Sequence, residues 1–389
     1  MRVRAPAILL LVCAVSTAQA GPFAPKAGEP GSTAIASTNP GFTGWATGWT
    51  NYLAGSNVVS VYQEPGEALG PANCDFDDPY NVCTLGNEGQ ITLTFAQPIV
   101  DTDGFDFAVF ENSFDGTFLE LAYVEVSADG TNFVRFPSAS WTQGPVPFTG
   151  AFVDATNLDG LAGTYGGIWG QYGVTHGTPF DLADVGLDQV THVRIIDIVG
   201  DGRCFDSVRE WFSDPFAPGD PIYDPHPTSV TGGFDLDAVG VFVTRTYRDW
   251  ALARFPYPLT ILDASLDGKD PDGDGLVNLL EYAFATEPLD AASAQRPQAG
   301  TSGRHAQIMF RRDANKTDLT YIVETSGDLA MWTEIARSVQ GDPMMPSGPA
   351  PATGVSEVGD GWLKQITVTD GHNLGNLGGP RFLRVRVTR

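Results

Sequence analysis

Tyr123-Val124-Glu125-Val126-Ser127-Ala128-Asp129-Gly130-Thr131-Asn132-Phe133-Val134-Arg135-Phe136 reads as two strands joined by a turn. Val and Phe alternate with Glu, Ser and Arg, the period of a pleated strand with one face in a core and the other toward solvent. Asp129-Gly130 supplies the positive φ angles of a tight hairpin turn. Outward from this unit, short runs rich in Val, Ile and Phe, bounded by Gly, Asp or Pro, predict strands at Ile91 to Phe95, Phe105 to Glu111, Val190 to Val199 and Phe234 to Val243. Strands at this spacing, with no helices between them, predict a mainly β chain whose residues 21–246 form an antiparallel β-sandwich of jelly-roll type.

The same pattern returns at Gln307 to Arg311, Leu319 to Thr325, Trp362 to Val368 and Phe382 to Val387, predicting a smaller C-terminal β-sandwich over residues 305–389. Its Val323-Glu324-Thr325-Ser326-Gly327-Asp328 through Trp332 echoes Val124 through Phe133. Between the two lies a different texture. Tyr247, Trp250 and Ala251 sit at helical spacing before Pro256 and Pro258, and Val277, Leu280, Ala283 and Phe284 mark a second short helix. Residues 247–290 therefore read as a helical linker around an acidic loop, with a polar linker at residues 291–304.

That loop is Asp270-Pro271-Asp272-Gly273-Asp274-Gly275-Leu276-Val277-Asn278-Leu279-Leu280-Glu281. Calcium is a hard cation that takes six to eight oxygens at about 2.3–2.6 Å, and carboxylates at the first, third and fifth places of a twelve-residue loop converge as the loop curls. Asp270, Asp272 and Asp274 occupy those places, and Gly275 permits the sharp turn. Leu276 offers a backbone carbonyl, Asn278 binds directly or through water, and Glu281 closes the shell with both oxygens. The sequence thus predicts Ca²⁺ as a cofactor, held in an EF-hand-like loop.

Residues 1–20 carry Arg2 and Arg4, an apolar run from Ala5 to Val15, and Ala18-Gln19-Ala20 at a cleavage-like position, the pattern of a secretory signal peptide. Export to the cell surface or the medium follows, and no later stretch is long and apolar enough to span a bilayer. Taking Arg2 and Arg4 from the 22 basic residues leaves 20 against 47 acidic ones, a formal charge of −27. Such acidity argues against nucleic acid or an anionic membrane as partner. In an oxidising compartment Cys74 and Cys83 are close enough in sequence to form a disulfide around Asp75, Asp77 and Asp78.

Four resemblances follow from these residues. The loop, preceded by Asp267-Gly268-Lys269 rather than by a helix, resembles the isolated calcium loops of thrombospondin type 3 and dockerin-like repeats; that resemblance implies a structural extracellular ion. Tyr247 through Leu289, with Val323 to Trp332 and Arg381-Phe382-Leu383-Arg384-Val385, is similar to the C-terminal region of exported proteins of Verrucomicrobia and related bacteria. Phe107 to Asn112, Glu120 to Gly130, Gly177 to Ala183, Pro221 to Pro225 and Gly233 to Val239 resemble a class of bacterial cell-surface proteins, and the hairpin resembles discoidin-like and carbohydrate-binding jelly rolls. Together they imply a surface or secreted role and name no ligand.

Within the larger module, alternation places Asp235 and Asp237 on one strand face, where two carboxylates repel unless donors or a cation intervene. A second metal site with Glu111 and Asp224 is one reading; a solvated strand face is the other. Trp141, Tyr165, Trp169, Tyr172 and Trp211 fall in Gly-rich or acidic loops, where aromatic rings either stack on a ligand such as a glycan or cover the core edge. The chain has no Gly-x-Ser-x-Gly elbow, His-Glu-x-x-His, phosphate loop or Rossmann fingerprint. The expected function is non-enzymatic: calcium binding plus capture of an extracellular ligand. The alternatives are a secreted glycan hydrolase using pairs such as Glu111 and Glu120 or Asp224 and Asp235, and a capture protein serving a nutrient transporter.

Overall fold

The computed structural model describes residues 21–73, 81–113, 115–166, 174–207, 219–228, 232–255, 267–359, 361–376 and 379–389. Residues 1–20, expected to be a signal peptide, and the ligand candidates Trp169, Tyr172 and Trp211 lie outside them, as does Cys74. The chain is mainly β, with antiparallel sheets that pack as sandwiches.

Two sheets build the larger unit. The first runs Ile35–Ala36, His176–Phe180, Phe107–Glu111, Asp235–Phe242 and Phe42–Trp45, with Cys83–Thr84 also paired to Asp235–Phe242. The second runs Gly48–Leu53, Gln90–Val100, Gln189–Asp197, Ala122–Ser127 and Val134–Arg135. Ile91, Leu93, Val124, Val126, Val193 and Ile195 of the second sheet meet Phe107, Val109, Phe180, Leu236 and Val239 of the first in one core. A smaller cluster of Ile35, Ala108, Phe110, Ala238 and Phe242 covers the other face of the first sheet, so Phe107–Glu111 is buried on both sides. That explains the unbroken apolar run from Phe107 to Phe110.

The founding hairpin forms, with a longer connection than its Asp-Gly pair predicts. Val126 pairs with Val134, leaving Ser127 to Phe133 as the loop. Gly130 alone there takes a positive φ, 72°. The Asp129 carboxylate accepts from the N–H of Thr131 and Asn132, each at 2.8 Å, and the Ser127 hydroxyl accepts from Gly130 N–H at 3.0 Å. Side chains thus satisfy the donors that a two-residue turn would have paired across strands.

Cys83 is a free thiol, not half of a bridge to Cys74. Its strand pairs with Asp235–Phe242, and the side chain is wholly buried in the main core.

The smaller unit also stacks two sheets: Gln298–Ser302, His305–Asp313, Leu363–Asn373 and Gly354–Val358 in one, Met345–Pro346, Thr333–Val339, Thr320–Ser326 and Phe382–Thr388 in the other. Gln298–Ser302, polar enough to read as linker, is an edge strand because Ser302 pairs with His305 across a tight turn through Gly303. Helix α1 (Tyr247–Arg254) starts at Thr246, whose hydroxyl caps Asp249 N–H. Helix α2 (Asn278–Phe284) follows the acidic loop. Tyr247, Trp250 and Phe255 join Tyr282 and Phe284 in the same core as Ile308, Phe310, Tyr321, Val323, Ile366 and Val368, so both helices are built into the C-terminal sandwich. No helix among the described residues is long and apolar enough to cross a membrane.

Core and surface should respond differently to truncation. Phe107 is fully buried with its ring 5.2 Å from Phe180, whereas Val61 is 68% exposed. Phe107→Ala is expected to cost about 3–5 kcal/mol of unfolding free energy, and Val61→Ser less than about 0.5 kcal/mol, measured by urea denaturation followed through tryptophan fluorescence.

Candidate metal centre

The acidic loop is shaped by its own side chains. Asp270 accepts from Gly273 N–H and Gly275 N–H, both at 2.9 Å, Asp272 from Asp274 N–H at 3.1 Å, and Asp274 from Leu276 N–H at 2.6 Å. Asp270 spends both oxygens, and Asp272 and Asp274 one each, on amides two to five residues on, which winds the chain around a centre. Gly275 takes φ 90°, so the backbone there calls for glycine, while a Cβ would meet only the movable end of Arg296 at 3.1 Å. The ends are fastened where α2 begins: Asn278 N–H donates to Lys269 carbonyl at 2.8 Å and Leu279 N–H to Asp267 carbonyl at 3.1 Å.

Oxygens of Asp270, Asp272 and Asp274 lie within 4.8 Å of one another. Asp272 and Asp274 each keep a buried second oxygen, Oδ2, without a hydrogen-bond partner, and so does Glu281 with both Oε1 and Oε2. Glu281 is 0% exposed. Burial, then the charges of Asp272, Asp274 and Asp270, push its pKa up to about 8. A buried carboxylate without donors or a cation is costly. This arrangement suits a hard divalent cation, and Asp270, Asp272, Asp274 and Glu281 are the side chains that would hold it, with Asn278 and the Leu276 carbonyl beside them. Asn278 is fully buried, and its side chain shares a hydrogen bond with the Tyr247 phenol.

A second acidic triplet, Asp101, Asp106 and Asp181, also has oxygens within 4.8 Å. Its chemistry is different. Asp106 accepts from Thr102 N–H at 2.8 Å, Thr102 hydroxyl at 2.9 Å and Leu182 N–H at 2.8 Å, while Asp181 faces Arg254 at 3.3 Å. These bonds staple two loops together. Sequence reasoning missed the triplet because Asp181 is remote from Asp101-Thr-Asp-Gly-Phe-Asp106; that dense acidic run was the available signal.

Asp235, Asp237, Glu111 and Asp224 are all buried in the larger unit. Asp237 is the extra residue of a bulge, since Leu236 pairs with Glu111 and Ala238 with Phe110. Asp235 accepts from the Thr84 hydroxyl, Asp237 from Asn73 N–H at 3.1 Å, Glu111 Oε2 from Ser113 N–H at 2.8 Å and Asp224 from Leu121 N–H at 2.9 Å. Glu120 joins them, accepting from Gly233 N–H at 2.9 Å. Backbone and hydroxyl donors thus serve most of this group.

Of the described aromatic candidates, Tyr165 is 4% exposed with its hydroxyl 2.8 Å from Thr33 Oγ1, and Trp141 is open, edge-on to Phe23 at 5.9 Å. Tyr165 and Phe23 line a groove of about 540 Å³ together with Phe105, Asp159, Asp184 and Leu252.

The buried acids set a pH dependence. Burial and Asp181 raise Asp106 to about 8, and burial raises Asp181 and Asp235 to about 7 each. A carboxyl raised above its unfolded value of about 4 contributes stability that is complete below that value and is lost as pH climbs through its folded pKa. Asp370 has the opposite sign: burial works to raise it, yet bonds from Arg381 and His372 bring it down to about 2, so its contribution is lost only as pH falls toward that value. The urea midpoint in EDTA is expected to be higher at pH 5.5 than at pH 8.5, and Asp106→Asn should narrow the difference. A higher midpoint at pH 8.5 would contradict the assignment.

No protein-family model matches the chain and no curated protein matches it, so the geometry of the acidic loop carries the functional conclusion.

Proposed function

We propose that this chain is an exported, non-enzymatic protein that binds calcium through Asp270, Asp272, Asp274, Leu276, Asn278 and Glu281, and binds an extracellular ligand of the glycan class with its larger β-sandwich. One observation carries the calcium reading: Glu281 is fully buried, faces three aspartates and has no partner for either carboxylate oxygen. Calcium would turn that repulsion into coordination, and outside the cell its millimolar supply suits a site that fixes structure rather than one that signals.

The groove beside Phe23 and Tyr165 supports the ligand reading. It sets ring edges next to carboxylate and hydroxyl acceptors, the mixture that sugars use. The hydrolase alternative ranks below it. Glu111 and Glu120 are 1% and 7% exposed and line neither this groove nor the smaller one beside His176 and Arg248. A glycosidase needs its two carboxyls against the sugar.

Isothermal titration of the mature chain with Ca²⁺ should give a one-site heat that Asp272→Ala with Asp274→Ala abolishes and Glu281→Gln weakens at least tenfold. At calcium one hundred times the dissociation constant, the unfolding free energy should rise by about 2.7 kcal/mol. No heat at millimolar calcium removes the proposal. For the ligand, affinity electrophoresis through neutral polysaccharide gels should show retardation that Phe23→Ala reduces; equal retardation of the two proteins would take the groove out of the account.

A further inference from the structure

Lys316 belongs to the C-terminal sandwich and is 0% exposed. Its Nζ lies 2.9 Å from Asp103 Oδ2 in the larger unit and 3.2 Å from Asp313 Oδ2 in its own. Arg254, the last residue of α1, reaches the same Asp103 at 3.0 Å, Asp181 at 3.3 Å and Glu287 at 3.2 Å. Asp103 is 6% exposed, so a single buried carboxylate of the larger unit receives both cations. Such a network holds only while every member keeps its place, because removing one leaves the others as uncompensated buried charge.

Two of the groups that keep those cations in place come from α2 and the turn after it. The Lys316 ammonium stands 4.5 Å from the centre of the Tyr282 ring, and the Tyr282 hydroxyl donates to Asp318 at 2.8 Å and to the Arg245 carbonyl at 3.1 Å. Tyr282 follows Glu281 directly. Its ring also meets Trp250 and Tyr247 of α1, at 5.4 Å each. Glu287, three residues beyond α2, holds Arg254 and adds to the negative field on Glu281. Helix α2 is short, spanning Asn278–Phe284, so a displacement of Glu281 is passed to Tyr282 and Glu287 without slack.

We infer that calcium in the Asp270–Glu281 loop is the latch of the junction between the two sandwiches: by drawing Glu281 onto the ion it seats Tyr282 and Glu287, which hold Lys316 and Arg254 on Asp103. The inference rests on the calcium reading of that loop. Without the ion, Glu281 and the three aspartates repel one another, α2 loosens at its first turn, and the junction charges lose their supports. The larger sandwich then keeps its own core while its contact with α1 and Lys316 opens.

Hydrogen exchange of the full mature chain, read by mass spectrometry on peptides covering 101–106 and 181–185, tests this alongside calorimetry on the same samples. Calcium should slow exchange in both peptides at least tenfold relative to EDTA, while the core strand Gln189–Asp197 stays unchanged. Asp103→Asn should still give the calcium heat but lose most of that slowing. Calcium heat with unchanged exchange at 101–106 in the wild-type protein overturns the latch and leaves the metal site standing; equal slowing in Asp103→Asn overturns the route through Asp103. Absence of any calcium heat removes the metal site and the latch with it. The wild-type comparison decides even where Asp103→Asn folds poorly.

Discussion

Lys316 is the charge around which the two halves of the molecule are arranged. An ammonium taken wholly out of water must be repaid by partners on every side, and its partners come from both units: Asp103 from the larger sandwich, Asp313 from the smaller, and the Tyr282 ring from α2. Arg254 shares Asp103 and so ties α1 into the same knot. Apolar packing alone would let two sandwiches meet in many orientations. A buried lysine with two fixed carboxylates accepts few, so this network specifies the junction even though its net contribution to stability is modest.

A second regularity runs through both sandwiches. Glu125 is held by Arg194 from the neighbouring strand, Arg194 lies 3.8 Å from the centre of the Phe133 ring, and Ser127 with Asp129 closes the intervening loop. In the smaller unit Glu324 is held by Arg384 from the neighbouring strand, Arg384 lies 4.0 Å from the Trp332 ring centre, and Ser326 with Asp328 closes the loop. The residues that echo one another in sequence therefore do the same work in space. A strand pair with one face toward solvent gains little from burial there; a carboxylate–guanidinium–ring stack covers that face and fixes register at once.

How much of this was legible in the sequence follows from the distance over which each feature is encoded. The strands at Ala122–Ser127, Gln189–Asp197 and Asp235–Phe242 were legible because alternation is a local property, and so was the curl of the acidic segment at Asp270, Asp272 and Asp274, whose carboxylates lie close together in the chain. The edge strand Gln298–Ser302 was not, since nothing apolar marks a strand that is half open to water on both faces. Cys83 read as a bridge partner because spacing says nothing about which way a strand will turn its side chain. The Lys316–Asp103 pair and the Asp101–Asp106–Asp181 triplet were beyond reach for a simpler reason: each joins residues that only the fold brings together.

An acidic chain offers many carboxylate clusters, and what separates a cation site from a structural staple is where the donors are. At Asp106 three protein donors converge on one carboxylate, and at Asp181 a guanidinium stands ready, so an arriving ion would have to displace bonds already made. At Glu281 no protein donor has been provided, although the helix around it is ordered and the residue is sealed from water. Folding leaves a buried carboxylate in that condition only where something outside the chain completes it or a proton neutralises it. Asp272 and Asp274 each add a buried oxygen without a hydrogen-bond partner to the two of Glu281, and that shared condition is what the calcium proposal rests on.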